Sequence, residues 1–195
     1  MTDQPPVNVL WHFALSPFCR KVRLSLAEKR IEVKLTDERY WEKDADFLRR
    51  NPAGKVPVLR MGQRLMSDSA AICEYLEEVH PSPPLLPKGP EARLEVRRLV
   101  GWFDGKFNDE VTSKLVGERV FKKMTGGGYP DSANVKSGSK AVKFHLDYIS
   151  DVDWNRSEVV KDWYAKIKSR PAFRGILADQ VPGFLPPAHY ADLDF

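Results

Sequence analysis

The sequence predicts a small α/β domain followed by an all-α domain, and three observations support this fold class. Short apolar stretches alternate with helical periodicity over the first 80 residues, as in strands joined by helices. Five prolines in the ten residues 81–90 then predict a stiff, extended linker. Beyond this linker the apolar residues recur only at helical spacing. We therefore expect domains at 1–80 and 91–180, joined by the linker and followed by a tail at 181–195.

The first predicted strand (7–13) leads into a turn with strong chemical character. Ser16 is a preferred helix N-cap, and Pro17 suits the first helical position because the N–H there has no intrahelical partner. The turn directs a hydroxyl group, free backbone N–H groups and the positive end of a helix dipole into one small volume. Cys19 lies in the first helical turn beside two basic residues. We expect them to favour its thiolate, unless the side chain points into the domain.

Further strands and a helix complete this domain. A second strand is predicted over 32–36, and a third begins at Val56-Pro57, where we predict a cis peptide bond because proline tolerates one best. A tight turn at 61–62 leads to a short strand at 64–66. Asp68-Ser69 then caps a helix. Its core face is predicted to consist of Ile72, Tyr75, Leu76 and Val79.

This order of elements over residues 7–80 resembles the N-terminal domain of the glutathione transferase superfamily. The resemblance implies a thioredoxin-like domain followed by a helical domain, the glutathione transferase fold. The Cys-x-x-Cys pattern of thiol-disulfide oxidoreductases is Ser-x-x-Cys here, from Ser16 to Cys19. Because the attacking thiol is missing, the sequence argues against an oxidoreductase.

The resemblance also implies a glutathione-type pocket. In active relatives a residue at the Ser16 position binds the glutathione sulfur, the backbone at the Val56 position pairs with the cysteinyl part, and an acidic residue and serine hold the γ-glutamyl group. Here Asp68 precedes the serine, where relatives more often have the longer Glu or Gln. The sequence thus permits catalysis without requiring it. The predicted pocket residues are Ser16, Phe18, Val56, Pro57, Asp68 and Ser69.

The second domain is predicted to consist of helices at 92–107, 111–121, 137–149, 159–169 and 172–179. Family members carry a further buried helix, with a Ser/Thr-x-x-Asp capping box, before the last two. Here Ser150 runs directly into Asp151 without such a box. Because deleting a core helix would leave a domain of this size poorly packed, we expect a segment of roughly two or three helices to be missing from the sequence at this point.

The tail at 181–195 is predicted to be neither a helix nor a central strand, because it contains four helix breakers. Its aromatic residues are unusual for a disordered tail. It either packs along its own domain or binds a partner through aromatic and leucine anchors set between acids. The candidate partner-binding residues are Phe184, His189, Tyr190, Asp192, Leu193, Asp194 and Phe195.

Together with the turn at Ser16, this tail resembles an alphaproteobacterial family of FtsZ-localised cell-division proteins with a glutathione-transferase-like fold. The resemblance implies a cytoplasmic homodimer at the division site that binds FtsZ filaments, with help from the tail, and promotes constriction. No catalytic residue and no cofactor are implied. The alternative is an active glutathione transferase that conjugates or reduces small electrophiles, with glutathione as co-substrate and Ser16 as its catalytic hydroxyl.

Two surfaces are expected to be buried in such a dimer. The first long helix of the second domain has more large apolar side chains than one internal face needs, namely Trp102, Phe103 and Phe107. The hairpin region at Leu65-Met66 is the second surface. We expect both to contribute to contacts between subunits about a two-fold axis.

Composition argues against several other classes. The 195 residues are 42% hydrophobic and 30% charged, as in a globular protein, and no apolar run is long enough to predict membrane insertion. The net charge of +4 is mild, and basic residues are interleaved with acids rather than with aromatic residues, so no nucleic-acid partner is expected. Cys19 and Cys73 lack metal-ligand spacing, which predicts no metal site and suits a reducing cytoplasm.

Overall fold

The computed structural model describes residues 7–150, 169–177 and 179. Its described residues divide into two compact units. The first contains residues 7–85 with 169–177 and 179, and the second contains residues 86–150. The predicted junction at Ser150/Asp151, most of the predicted helix at 159–169 and the tail at 181–195 lie outside the described residues.

A four-stranded sheet forms the centre of the first unit, as predicted. Its strands are β1 (Val9–His12), β2 (Lys34–Asp37), β3 (Val58–Met61) and β4 (Arg64–Ser67), in the order β2-β1-β3-β4. β1 is parallel to β2 and antiparallel to β3, and β3 and β4 form an antiparallel hairpin. The predicted second strand began two residues too early, because the ladder to β1 starts at Lys34.

The helices of this unit are α1 (Pro17–Glu28), a 3-10 turn (Tyr40–Glu42), α2 (Ala45–Arg50) and α3 (Ser69–Val79). A further helix at Pro171–Leu177, labelled α8 below, also belongs to this unit and packs against α1. The sequence-based boundaries placed that segment in the helical domain instead.

The core of the first unit joins the sheet to α1 and α3. Each of its side chains contributes about 1.5–3 kcal/mol through burial. One predicted core residue is wrong: Val79 is 44% exposed at the end of α3. The central core residues are Leu10, Val22, Leu26, Leu59, Ile72 and Leu76.

The start of the linker is fixed to the first unit by a buried ion pair. The ammonium group of Lys29 lies 2.7 Å from the Glu77 carboxylate and donates to the carbonyl oxygens of His80, at 2.6 Å, and Pro83, at 3.1 Å. The Glu77 carboxylate in turn accepts the N–H of Leu85 at 3.0 Å. These bonds hold α1, α3 and the first half of the linker together.

The second unit begins with an uninterrupted helical rod from residue 90 to residue 124, where the sequence predicted two helices. The rod consists of α4 (Pro90–Gly101), α5 (Ser113–Val116) and α6 (Lys122–Met124), joined by π-helical segments at Trp102–Thr112 and Gly117–Phe121. A π-helix has i→i+5 hydrogen bonds and therefore more residues per turn than the 3.6 of an α-helix. Side chains that recur every four residues consequently stay on one face of the rod. That spacing is present at Leu99, Phe103, Phe107, Val111 and Leu115.

The second element of this unit is α7 (Ser132–Ser150), which packs against the rod. Gly138 is buried there, and a Cβ atom at that position would lie 3.0 Å from both Leu115 and Lys114. His145 is fully buried and bonded on both ring nitrogens. Trp102 Nε1 donates to His145 Nδ1 at 3.1 Å, so His145 carries its proton on Nε2, which lies 3.1 Å from Glu110.

Among the described residues, no helix combines the length and the apolar character needed to cross a membrane.

Candidate functional site

The sheet topology brings the predicted pocket residues to one end of the first unit. β1 ends at His12, just before the turn that carries Ser16. β3 starts at this same end, because Val58 is in register with Trp11, and its antiparallel neighbour β4 ends here at Ser67. Pro57 precedes β3 and Asp68 follows β4. The three predicted motifs therefore meet at one edge of the sheet.

Ser16 is the N-cap of α1, as predicted. Its Oγ accepts the backbone N–H of Cys19 at 3.3 Å, and its own N–H donates to the Phe13 carbonyl oxygen at 3.0 Å. The residue is only 7% exposed. The cap uses a lone pair of the hydroxyl oxygen, and the same hydroxyl group also hydrogen-bonds the Cys19 side chain.

Of the two alternatives predicted for Cys19, the structure shows the one in which the side chain points into the domain. Cys19 is fully buried, and burial raises the pKa of its thiol more than the Ser16 hydroxyl, the Phe13 N–H and Arg23 lower it. The reason is the helix face: Cys19 shares the spacing of Val22 and Leu26, which also point into the core. Cys19 is therefore a structural residue that accepts the N–H of Phe13 at 3.4 Å.

The peptide bond between Val56 and Pro57 is cis, as predicted. Both residues are buried. Within the described residues, the backbone N–H and C=O of Val56 make no hydrogen bond. Since buried backbone groups are nearly always paired, these two groups can pair with the backbone of an extended ligand.

Asp68 and Ser69 begin α3, but the carboxylate has a local role. Asp68 Oδ1 accepts the N–H groups of Ala70, at 2.9 Å, and Ala71, at 3.0 Å, so this side chain caps the helix. The Asp68 backbone has a φ of 73°, a region that non-glycine residues rarely adopt. Ser69 is buried at the first helical position. Only the second carboxylate oxygen of Asp68 remains for an ammonium group.

Two aromatic residues next to this site were missed from the sequence. The 3-10 turn after β2 places Tyr40 and Trp41 against Phe13, with ring centroids 6.2 Å and 5.3 Å from that ring. Burial raises the pKa of Tyr40 to about 12, with a smaller contribution from Cys19. A turn of three residues has no periodicity, so the pattern of the sequence could not reveal this cluster; its aromatic composition was the only signal.

A cluster of charged side chains lies where α1 meets the residue that follows α8. Arg23 donates to both carboxylate oxygens of Asp179, at 2.9 Å and 2.7 Å, and Arg20 lies 3.5 Å from the same group. His12 is buried nearby, with Nε2 at 3.5 Å from Asp37; among the described residues its Nδ1 has no hydrogen-bond partner. Burial is the main cause that lowers the pKa of His12, followed by repulsion from Arg23.

The structure also contains a surface depression away from these residues. It has a volume of about 440 Å³ and is lined by Met61, Gln63, Arg64 and Tyr75. None of the predicted pocket residues belongs to its lining. Phe18 is half-buried in α1, and the predicted partner-binding residues of the tail lie outside the described residues.

Comparison with known proteins gives concordant matches. Residues 10–84 match the model of the glutathione S-transferase N-terminal domain family. FtsZ-localized protein A of Caulobacter vibrioides is 39% identical over 224 residues, which cover 96% of this chain and 98% of that protein. The alignment is longer than the 195 residues of this chain, so the relative contains residues without a counterpart here.

Two solved structures match almost the whole chain. A glutathione S-transferase from Rhodospirillum rubrum F11 is 42% identical, with a TM-score of 0.88 over 97% of this chain and 100% of that chain. The structure of FzlA from C. crescentus is 38% identical, with the same TM-score and the same coverage of both chains. This chain therefore belongs to the glutathione S-transferase family, together with FtsZ-localized protein A. The predicted fold, a thioredoxin-like domain followed by a helical part, is confirmed.

Proposed function

We propose that this protein is a cell-division factor that uses a glutathione transferase fold, without catalysis, to bind FtsZ filaments. The observation that carries the proposal is the similarity to FtsZ-localized protein A, which extends over 96% of this chain and 98% of that protein. The proposal places the protein in the cytoplasm at the division site, where it promotes constriction.

The predicted pocket supports a non-catalytic role in two ways. The Asp68 carboxylate is occupied by the first turn of α3, which weakens its use as a ligand for a γ-glutamyl ammonium group. The only cysteine of the turn, Cys19, is buried and its pKa is raised, so it offers no reactive thiolate. The hydroxyl of Ser16 is the group to which the alternative function assigns a catalytic role.

The proposed assembly is a homodimer. Each unit exposes large apolar side chains at the surfaces predicted to meet a partner subunit: Leu65 is 43% exposed on β4, and Phe103 is 41% exposed on the helical rod. Burial of these side chains between two copies would remove apolar surface from water. A monomer in light scattering at micromolar concentration would contradict this assembly.

Co-pelleting with FtsZ polymers tests the proposal. The full chain should sediment with polymers, and the Ser16→Ala variant should sediment equally well, because the hydroxyl has no role in this binding. A truncation that removes residues 188–195 should bind much more weakly while it keeps its helical circular dichroism signal and its dimer. Failure of the full chain to sediment with FtsZ would refute the proposal, and full binding by the truncated chain would refute the role of the tail.

The alternative function is an active glutathione transferase, with glutathione as co-substrate. Two observations favour it: among the described residues the backbone groups of Val56 make no hydrogen bond, and the Ser16 hydroxyl lies at the N-terminus of α1. A calorimetric titration with glutathione and a conjugation assay with standard electrophiles test it. Robust turnover that is abolished by Ser16→Ala would establish the transferase, whereas weak turnover that survives the substitution would exclude Ser16 as the catalytic group.

A further inference from the structure

The loop that joins the helical rod to α7 presents one aromatic side chain to solvent. Tyr129 is 95% exposed, and among the described residues it has no hydrogen-bond partner and contacts no other ring. It follows three glycines and precedes Pro130. A tyrosine has a large apolar surface and only two side-chain torsions, so its burial by a partner gains much free energy and orders little.

Hydrogen bonds fix this loop at both ends. At its start, the N–H of Gly127 donates to the carbonyl oxygen of Lys122 at 2.8 Å. At its end, the N–H of Asp131 donates to the carboxylate of Glu118, also at 2.8 Å. Only residues 128–130 lie between these two bonds. The backbone that carries Tyr129 therefore has little conformational entropy left to lose when a partner binds, which distinguishes it from an aromatic side chain on a free loop.

Basic side chains border the loop at the end of the rod. Residues 119–131 contain one acid and three basic residues, namely Arg119, Lys122 and Lys123. Lys122 is paired with Glu118, whereas Arg119 is exposed and has no ionic partner among the described residues. The one acid, Asp131, uses its Oδ1 to cap α7. The described surface next to Tyr129 is therefore basic and is complementary to a partner surface with carboxylates.

We propose that Tyr129 inserts into the cleft between adjacent subunits of an FtsZ filament, so that this loop recognises the polymer rather than the free subunit. This inference rests on the proposed function, which supplies the filament as the partner. A side chain that projects from a surface needs a concave site in its partner. Two rounded subunits that meet head to tail leave a cleft around their contact, and a filament repeats this cleft at every junction. The basic residues of the rod would face carboxylates at the rim of the cleft.

Two other classes of partner fit this loop less well. A lipid surface is bound by a helix that buries a broad apolar face, whereas the loop offers a single ring. Single-stranded nucleic acid is bound by successive stacked aromatic rings, and the loop again has one. Anionic vesicles and a single-stranded oligonucleotide therefore serve as comparison ligands in the test.

Co-pelleting of the full chain with increasing concentrations of FtsZ polymers tests the proposal. Tyr129→Ala removes the ring, and Tyr129→Phe keeps it without the hydroxyl. The matched control, Leu94→Ala, removes a side chain that is 68% exposed near the start of the rod. Circular dichroism should show the same helical signal for all three variants, because both residues are exposed. Sedimentation velocity with unpolymerised FtsZ measures binding to the free subunit.

Tyr129→Ala should bind the polymers about thirtyfold more weakly than the unmodified protein, which corresponds to about 2 kcal/mol, as for an interface residue that dominates binding. Tyr129→Phe and Leu94→Ala should bind like the unmodified protein. Arg119→Gln should weaken binding about threefold, because an exposed ion pair at a rim contributes little. With unpolymerised FtsZ, Tyr129→Ala and the unmodified protein should bind equally, because the free subunit lacks the cleft.

The results separate this inference from the proposed function. If the unmodified protein does not sediment with FtsZ polymers, the proposed function fails and this inference fails with it. If the unmodified protein sediments and Tyr129→Ala sediments equally well, only this inference is refuted.

Three further results would overturn the inference while FtsZ binding stands. One is an equal loss of binding in Tyr129→Ala and Leu94→Ala, which would show that the position of the side chain does not matter. Another is the same loss in Tyr129→Ala with unpolymerised FtsZ, which would place the contact on a single subunit. The third is binding of vesicles or of the oligonucleotide that depends on Tyr129, which would assign the loop to that class of ligand.

Discussion

Loss of the Glu77 charge should destabilise the first unit strongly. The ammonium group of Lys29 has no solvent exposure, and the Glu77 side chain is only 9% exposed, so the pair is held away from water. Glu77→Gln would leave the cation buried with two carbonyl oxygens, those of His80 and Pro83, and no counter-charge. The side chain keeps its size, so the change tests charge rather than packing.

The expected cost is about 3 kcal/mol. Removing one partner of a buried ion pair typically costs about 3–5 kcal/mol, and the two carbonyl bonds that Lys29 keeps place this case at the lower end. The exposed pair of Arg39 and Glu42, whose side chains are 74% and 54% exposed, provides the control. Arg39→Gln should cost less than about 0.5 kcal/mol.

Urea denaturation followed by circular dichroism measures both costs. The double variant Lys29→Met/Glu77→Gln should lose less stability than the sum of its single variants, because it removes the unpaired buried cation. Hydrogen exchange at the Leu85 amide, which donates to Glu77, should become faster in Glu77→Gln. A Glu77→Gln variant as stable as Arg39→Gln would refute the reasoning and show that the pair is not buried in solution.

Three further predictions concern other described residues. Hydrogen bonds from the Asp131 N–H, then from Lys122 and Asn134, lower the pKa of Glu118 to about 2. The contribution of Glu118 to the free energy of unfolding should therefore be full above pH 4.5, decline as the pH falls towards about 2, and be absent in Glu118→Gln. A pKa near 4.5, measured by NMR, would contradict this prediction. Burial is the main cause that lowers the pKa of His12 in the folded state, so on acidification the unfolded chain binds a proton at this residue before the folded protein does. The free energy of unfolding should therefore decrease as the pH falls below about 6.5, and His12→Gln should lose this dependence. An unchanged pH profile in the variant would exclude His12 as the source. Gly138→Ala should lower the melting temperature although alanine favours helices, because its Cβ would lie 3.0 Å from Leu115; a more stable variant, by calorimetry, would show that the contact relaxes.

Local chemistry made part of the site predictable from the sequence. The Ser16 cap and the cis bond before Pro57 follow from residue types whose backbone preferences hold in any fold. Asp68 was also predicted to cap α3, and its carboxylate does so. Whether the same carboxylate also holds a ligand could not be predicted, because a cap and a ligand contact use the same atoms.

The features that the sequence did not reveal depend on packing or on unusual backbone. The neighbours of Cys19 along the chain are basic, yet its environment is set by α1 facing the core. The helical rod was divided into two predicted helices because a 3.6-residue period does not fit its spacing of four. The ion pair of Lys29 with Glu77 joins residues from two helices, and no local pattern records such a pairing.

The contacts between α1 and α8 determine the direction in which α8 can dock. Arg23 of α1 pairs with Asp179 beyond one end of α8, whereas Glu28 pairs with Arg170 before the other end. If α8 lay along α1 in the reverse direction, Arg170 would face Arg23 and Asp179 would face Glu28, so both ends would meet like charges. The two ion pairs thus select one orientation of α8 along α1. Reversing the charge of Arg23 or of Asp179 alone should disfavour this orientation, whereas exchanging both charges together should preserve it.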